Sequence, residues 1–294
     1  PVAGRRIGIH TSIAGALSNA VERAYRLGCN TFQIFSSSPR QWKQSRVDLV
    51  EARRFAQLRE KYDLYPLVIH DNYLINLASW DPVIRSKSVE AFRAELERAV
   101  ALGAEYLVTH PGSATNGDRK QALVNFITGL EEAGRGRMWG RLRVLIENTA
   151  GGGGALGSDF EELRAILELA QGAPLGCCID TAHCYQAGFD VSTAKGLEDM
   201  LARLDKAVGL ARVYVVHTND SRTALGSHAD RHEHIGKGGI GLEGFRRILN
   251  HPGLRDKAFI LETPIENDGD DLRNLETVRR LVKDNTKTRR HKVH

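Results

Sequence analysis

The chain has 294 residues, 41% hydrophobic and 26% charged, the balance of a folded globular protein rather than a disordered or fibrous one. No apolar run approaches the roughly 20 residues that span a bilayer, so neither membrane insertion nor a membrane partner is expected. A net charge of +5 and a pI near 9.1 suit a polyanionic partner without identifying it.

Cys29, Cys177, Cys178 and Cys184 follow neither a zinc-finger nor a disulfide spacing. They read as reduced thiols of an intracellular, cytoplasmic protein. The opening Pro1-Val2-Ala3-Gly4-Arg5-Arg6 contains no apolar stretch of the secretory kind, so no signal peptide is expected, and the missing starting Met reads as processing or trimming.

In chain order, short apolar runs bounded by turn residues read as strands at 7–10, 31–35, 67–70, 106–110, 144–147, 176–180, 213–217 and 259–262. Helical spacing fills the intervals at 15–27, 47–62, 82–102, 119–132, 158–169, 192–208, 242–249 and 270–283. Asp81 is an expected N-cap, and Ser158 with Glu161 an expected capping box. Alternating strands and helices imply a parallel sheet with right-handed crossovers, and eight such units close a (β/α)8 barrel. The expected fold is therefore α/β: a single-domain TIM barrel over 1–284, followed by a basic, disordered tail at 285–294. No Gly-x-Gly-x-x-Gly follows the first strand to favour an open doubly wound sheet.

Barrel enzymes place their chemistry at the carboxyl ends of the strands, and here those ends carry His10, His70, His110, Glu147, Asp180, His217 and Glu262. Only the second strand lacks such a residue. The most telling stretch is 143–154, where an apolar run ends in Glu147 and four glycines soon follow, a composition that lets backbone approach something closely. Two loop motifs, Asp180-Thr181-Ala182-His183 and Asp230-Arg231-His232, each bring a carboxylate close to an imidazole.

The best candidate ligands are His70, His110, Glu147, Asp180, His183, His217, Asp230, His232 and Glu262, a donor set that suits two or three divalent ions. Imidazoles mixed with carboxylates favour Zn²⁺, with Mn²⁺ or Fe²⁺ as alternatives. Adjacent ions of this kind perform phosphodiester hydrolysis. No Gly-x-Ser-x-Gly, P-loop or cysteine nucleophile points to covalent catalysis. Beyond the second strand, Arg40-Gln41-Trp42-Lys43-Gln44-Ser45-Arg46 places cations around an aromatic, a composition able to contact phosphates and probe an unstacked base step.

Several of these motifs together resemble the endonuclease IV family of apurinic/apyrimidinic endonucleases. They are Phe32-Gln33-Ile34-Phe35, Pro39-Arg40-Gln41-Trp42, the run from His70-Asp71-Asn72-Tyr73 to Leu77, His110-Pro111-Gly112-Ser113, Glu147-Asn148-Thr149-Ala150-Gly151, Asp180-Thr181-Ala182-His183, His217-Thr218-Asn219-Asp220-Ser221, Asp230-Arg231-His232 and Glu262-Thr263-Pro264. The resemblance runs from about residue 7 to 283. It implies a zinc-dependent enzyme of base excision repair that hydrolyses the phosphodiester 5′ to abasic sites in duplex DNA, leaving a 3′-hydroxyl and a 5′-deoxyribose phosphate.

By position, Glu147 would be shared by two zinc ions, one also held by His70 and His110, the other by Asp180, His217 and Glu262. His183, Asp230 and His232 would hold a third. Glu147, Glu262, His110 and Asp180 are the expected catalytic residues, Arg40, Gln41, Trp42 and Tyr73 the expected DNA contacts, and His10 an outer neighbour of the site. A monomer is expected. Ser36-Ser37-Ser38, Ala114, Gly152 and His228 depart from the family pattern, which leaves DNA contacts or substrate preference in question rather than ligands. The rival expectation, a metal-dependent sugar isomerase on the same barrel, requires neither the His183–Asp230–His232 cluster nor the basic loop at 40–46.

Overall fold

The computed structural model describes residues 4–43, 46–115 and 117–282. The expected tail at 285–294 lies outside the described residues, as do Gln44 and Ser45 of the basic loop.

The barrel strands are β1 (Arg6–Ile9), β2 (Phe32–Phe35), β3 (Leu67–His70), β4 (Tyr106–Thr109), β5 (Arg143–Glu147), β6 (Leu175–Asp180), β7 (Val213–His217) and, after the two-residue strands β8 (Asp220–Ser221) and β9 (His232–Glu233), β10 (Ala258–Leu261). The parallel sheet runs in the order β1-β10-β7-β6-β5-β4-β3-β2. Its two outer strands meet through a parallel bridge between His10 and Gln33, with Thr11 N donating to Gln33 O at 2.8 Å, so the sheet closes into the expected TIM barrel.

The helices are α1 (Leu17–Arg26), α2 (Leu49–Lys61), α3 (Pro82–Ala101), α4 (Arg119–Gly134), α5 (Phe160–Leu169), α6 (Thr181–Gln186), α7 (Ala194–Ala207), α8 (Gly241–Asn250) and α9 (Asp270–Leu281). Side chains of Asp48, Asp81, Asp118 and Thr193 accept from first-turn amides and set four helix starts. At α5 the expected capping box shifts by one residue. Asp159, not Ser158, caps the helix by accepting from Glu161 N, and Glu162 reaches back to Gly157 N at 2.6 Å. α6 was not expected from the sequence.

The pleat sorts each strand between two cores. One face packs under the helices, where Phe32, Phe92, Phe126, Phe245 and Phe259 are fully buried. The other faces the barrel axis, where Val68, Val108, Leu145, Cys178, Val215, Ala258 and Ile260 form a separate plug. The inward position two residues beyond the plug is His70, His110, Glu147, Asp180, His217 and Glu262 in turn. The period-2 geometry of β-strands therefore delivers six candidate ligands into one layer above an apolar floor.

Candidate metal centre at the barrel mouth

Glu147, at the end of β5, is the hub of that layer. Its Oε2 lies 3.2 Å from His70 Nε2 and 3.5 Å from His110 Nε2, and its Oε1 lies 2.8 Å from His217 Nδ1 and 3.5 Å from His183 Nδ1. Donor atoms of His70, His110 and Glu147 fall within 4.8 Å of one another, and so do those of Glu147, Asp180, His217 and Glu262. A third group joins Asp180, His183 and His232. Asp230 Oδ1 approaches the same two imidazoles, 3.3 Å from His183 Nε2 and 3.6 Å from His232 Nε2. All nine candidate ligands thus converge on one cleft, and Asp180 stands between the second and third groups.

Neighbouring groups set which nitrogen of each ring is free. His70 Nδ1 lies 3.0 Å from Asp71 O, His183 Nδ1 2.8 Å from Asn148 O and His232 Nδ1 3.2 Å from Glu262 O. A carbonyl can only accept, so those Nδ1 atoms carry the protons and the Nε2 lone pairs face the centre. His232 Nε2 is buried without a hydrogen-bond partner among the described residues, which is the condition of a ligand atom awaiting its ion. Asn219 Nδ2 donates to Asp180 Oδ2 at 2.7 Å, and Asn148 Oδ1 accepts from Asp180 N at 2.7 Å. These contacts suit a divalent cation: lone pairs and carboxylate oxygens point inward while the outward atoms are satisfied.

Electrostatics point the same way. Burial alone would lower His70, but the hydrogen bond and charge of Glu147 override it and push the ring up to about 10. Burial also opposes charge on His183 and His217, yet Asp180 raises the first and Glu147 the second. Despite its own burial, Glu147 is held well below the usual carboxylate range by His217 and His110. Without a cation, protonated imidazoles must offset four neighbouring carboxylates; a divalent ion does the same for neutral rings. His10 behaves differently, burial depressing it to about 4.

Asp230 and His232 ride on the segment 222–240 after β8, where Gln186 Nε2 donates to Arg231 O, His228 N donates to Gln186 O, and Asp220 holds the far end. The buried Asp220 carboxylate accepts from Ser221 N and Ile240 N on Oδ1, and from Gly236 N, Gly238 N and Gly241 N on Oδ2, all at 2.8–3.3 Å. Its burial is satisfied wholly by backbone donors.

At the rim, Arg40 and Gln41 are exposed and Trp42 is half-buried. Their loop is tied to the end of β3, because Asn72 Nδ2 donates to Gln41 O at 2.6 Å and Tyr73 N donates to Pro39 O at 3.2 Å. Tyr73 is 65% exposed and meets Phe35 edge-on with ring centroids 5.0 Å apart. It overhangs a cavity of about 280 Å³ lined also by His70, Glu147, Asp230, Glu262 and Ile265.

Two of the departures from the family pattern touch each other. A Cβ on Gly152 would sit 2.3 Å from His228 O, and His228, in left-handed backbone at φ 53°, places Nδ1 2.8 Å from Ala150 O. Gly152 permits this loop-to-loop approach, so here the glycine makes room for protein backbone. Ser36 is buried, donating to Glu95 Oε2 at 2.5 Å and accepting from Arg98 Nε at 2.9 Å, and Ala114 is buried.

The sequence reading missed the orienting residues Gln33, Asn148, Asn219 and Asp220. Their signal was faint: each lies in a motif, but no spacing rule marks a side-chain amide beside a strand end as the partner of a ligand, or a buried aspartate as the acceptor of loop amides.

The family described as "Xylose isomerase-like TIM barrel" matches residues 21–284. A protein named "Probable endonuclease 4" from Solibacter usitatus is 52% identical over 280 residues, 94% of this chain and 97% of that protein. A protein of the same name from Halothermothrix orenii is 42% identical over 88% of this chain and 93% of its own length. Among solved structures, endonuclease IV from Thermus thermophilus superposes with a TM-score of 0.84 at 43% identity, covering 94% of this chain and 98% of its own. A D-tagatose 3-epimerase-like protein, 20% identical with a TM-score of 0.68 over 93% of this chain and 96% of its own, shares the barrel alone.

Proposed function

The chain belongs to the endonuclease IV family of DNA-cleaving hydrolases, and from that membership we propose that it hydrolyses the phosphodiester 5′ to abasic sites in duplex DNA, using three zinc ions held at the barrel mouth. The observation that carries this reading is the convergence of five strand-end side chains, His70, His110, Asp180, His217 and Glu262, on the shared carboxylate of Glu147. Glu147, His70 and His110 would hold one ion, Glu147 with Asp180, His217 and Glu262 a second, and His183, Asp230 and His232 a third. Zinc fits because imidazole nitrogen supplies about half the donors. Bound there, such ions supply the Lewis acidity that acidifies water and neutralises a departing oxygen.

The chain's own residues account for the substrate. Donors sunk beneath a rim reach a phosphate of duplex DNA only when the target nucleotide leaves the stack, and that is least costly where no base is present to stack or pair. Arg40, Gln41 and Trp42 at the rim would fill the vacated step and contact phosphates, and Tyr73, which lines the cavity, would pack beside the extruded sugar. Every donor comes from one barrel, which suits a monomer. Among the described residues no helix is long and apolar enough to cross a membrane, and the four cysteines are buried and unpaired.

A duplex with a single abasic site, incubated with purified protein beside the same duplex with an intact base, tests the proposal. Selective nicking is expected, lost on stripping by a chelator and regained with zinc. Equal cutting of both duplexes, or undiminished cutting by protein whose metal content is confirmed as nil, overturns it.

A further inference from the structure

β2 is the one barrel strand whose end offers neither imidazole nor carboxylate, yet its second residue is tied closely to the centre. Gln33 is fully buried. Its Nε2 lies 2.5 Å from Glu262 Oε1 and 3.0 Å from His10 Nδ1, and its Oε1 lies 2.8 Å from His217 Nε2.

The orientation of this amide follows from its partners. An ionised carboxylate only accepts, so the Glu262 contact requires the NH2 end of Gln33. The second hydrogen of that NH2 then points at His10 Nδ1, and the carbonyl end must face His217. A carbonyl only accepts as well, so His217 carries its proton on Nε2. That leaves the Nδ1 lone pair facing Glu147 Oε1 at 2.8 Å and Glu262 Oε2 at 3.2 Å. A lone pair set against two carboxylates is repulsive unless a proton or a metal ion lies among them, and in the neutral ring that Gln33 selects the metal ion takes that place. One amide thereby fixes the proton on one ligand and the rotation of another, both in the same four-residue group of Glu147, Asp180, His217 and Glu262.

We propose that Gln33 is the positioning residue of this four-ligand site, selecting the His217 tautomer that offers Nδ1 and aiming Glu262 Oε2 at the same point, so that it governs occupancy of this site and not of its neighbours. The inference rests on the metal-dependent reading above. Three of the four rings of the other two sites, His70, His183 and His232, are set instead by the carbonyls of Asp71, Asn148 and Glu262. Second-layer partners of metal-bound imidazoles are typically worth about 10–100-fold in metal affinity.

The test is zinc titration of the stripped full-length protein and of Gln33→Met, which keeps the length and burial but neither donates nor accepts through an amide. Long-range ¹⁵N–¹H spectra of the histidines are recorded on both loaded proteins. We expect wild type to take up three ions with His217 held as the Nε2–H form. In Gln33→Met one ion should bind about 10–100-fold more weakly and the His217 tautomer signal should broaden or switch, with the signals of His70, His110 and His183 unmoved. Gln33→Glu serves if Gln33→Met does not fold: it keeps an acceptor for His217 but sets a carboxylate against Glu262, and the same site should weaken. Unchanged stoichiometry, affinities and His217 tautomer in a folded variant overturn the role of Gln33 alone, while wild-type protein that binds no zinc overturns this role together with the metal-dependent reading.

Discussion

The inner and outer halves of the cleft are built on different principles. The inner half comprises Glu147, Asp180, His217 and Glu262, all at barrel strand ends or one residue beyond, and three of those side chains are at most 1% exposed. Each of Asp180, His217 and Glu262 is held by a further hydrogen bond with Gln33, Asn148 or Asn219. The outer half contains His110, Asp230 and His232, with side chains 36%, 60% and 18% exposed, and two of the three ride on the segment 222–240, whose one regular element is β9, paired with β8. Asp220 anchors its far end, and Gln186 holds Arg231 between the two ligands. Rigid strands fix where their ligands start and leave only rotation and tautomer to neighbouring amides, whereas a loop needs anchors for its backbone as well.

The sharpest break in this comparison is Glu147→Gln, which keeps the shape of the inner hub but removes the charge that two ions would share. Cleavage should fall by at least about 10³-fold, the scale on which preorganised charge acts in catalysis, with the fold preserved by circular dichroism. Turnover near the wild-type rate at saturating substrate would remove Glu147 from the centre.

Asp220→Asn should damage the outer half while sparing the inner. The amide nitrogen cannot accept, so at least two loop amides lose their partner, at about 1–3 kcal/mol each. The melting temperature should drop and elemental analysis should find the His183–Asp230–His232 ion depleted, with the two ions around Glu147 retained. Uniform loss of all ions would show that the halves are not independent.

A pH signature separates charge from metal. For His70 the folded value, about 10 without a cation, lies above its ordinary 6.5, so its stabilising contribution is complete below pH 6.5 and disappears as pH rises toward 10. Glu147 is depressed below its ordinary 4.5, so its contribution is present above that value and lost on acidification. Metal-stripped protein should therefore melt highest between about pH 4.5 and 6.5 and progressively lower up to pH 10, while zinc-loaded protein keeps its stability over that alkaline range. Parallel profiles for the two forms would contradict the charge balance described for the centre.

The smallest effect belongs to the rim. Arg40→Ala with Gln41→Ala should weaken binding to abasic duplex by about tenfold, reduce its preference over intact duplex, and flatten the salt dependence by about one phosphate contact, all at unchanged zinc content. A change in zinc content would mean that the rim and the floor are coupled.

How much of this was legible follows the same division. The eight barrel strands were placed to within one residue at either end, because buried parallel strands are short apolar runs with abrupt boundaries, and their inward alternation delivered the six strand-end ligands; the two-residue β8 and β9 were not expected. Asp180-Thr181-Ala182-His183 was visible as a motif, but not as the start of α6, because Thr181–Gln186 is six residues long, too short to display a helical period. The cap of α5 was misread by one position because Ser158 and Asp159 are both good caps and sequence does not rank neighbours. Gln33 and Asp220 were invisible as parts of the site, since one acts through a side-chain amide and the other through backbone donors that no residue pattern announces. Gly152 and His228 were each visible as a departure, but their contact across two loops was not.

The most direct test of the hydrolytic account is to cut a duplex containing one abasic site in water enriched with ¹⁸O and analyse both new ends. The account predicts a 3′-hydroxyl that a polymerase extends and a single ¹⁸O on the phosphate of the 5′-deoxyribose fragment, because water attacks phosphorus and the bond to the 3′ oxygen breaks. An unsaturated sugar on the 3′ end with no label in the phosphate would mean elimination instead, and would contradict the reading of Glu147 and its neighbours as a hydrolytic metal centre.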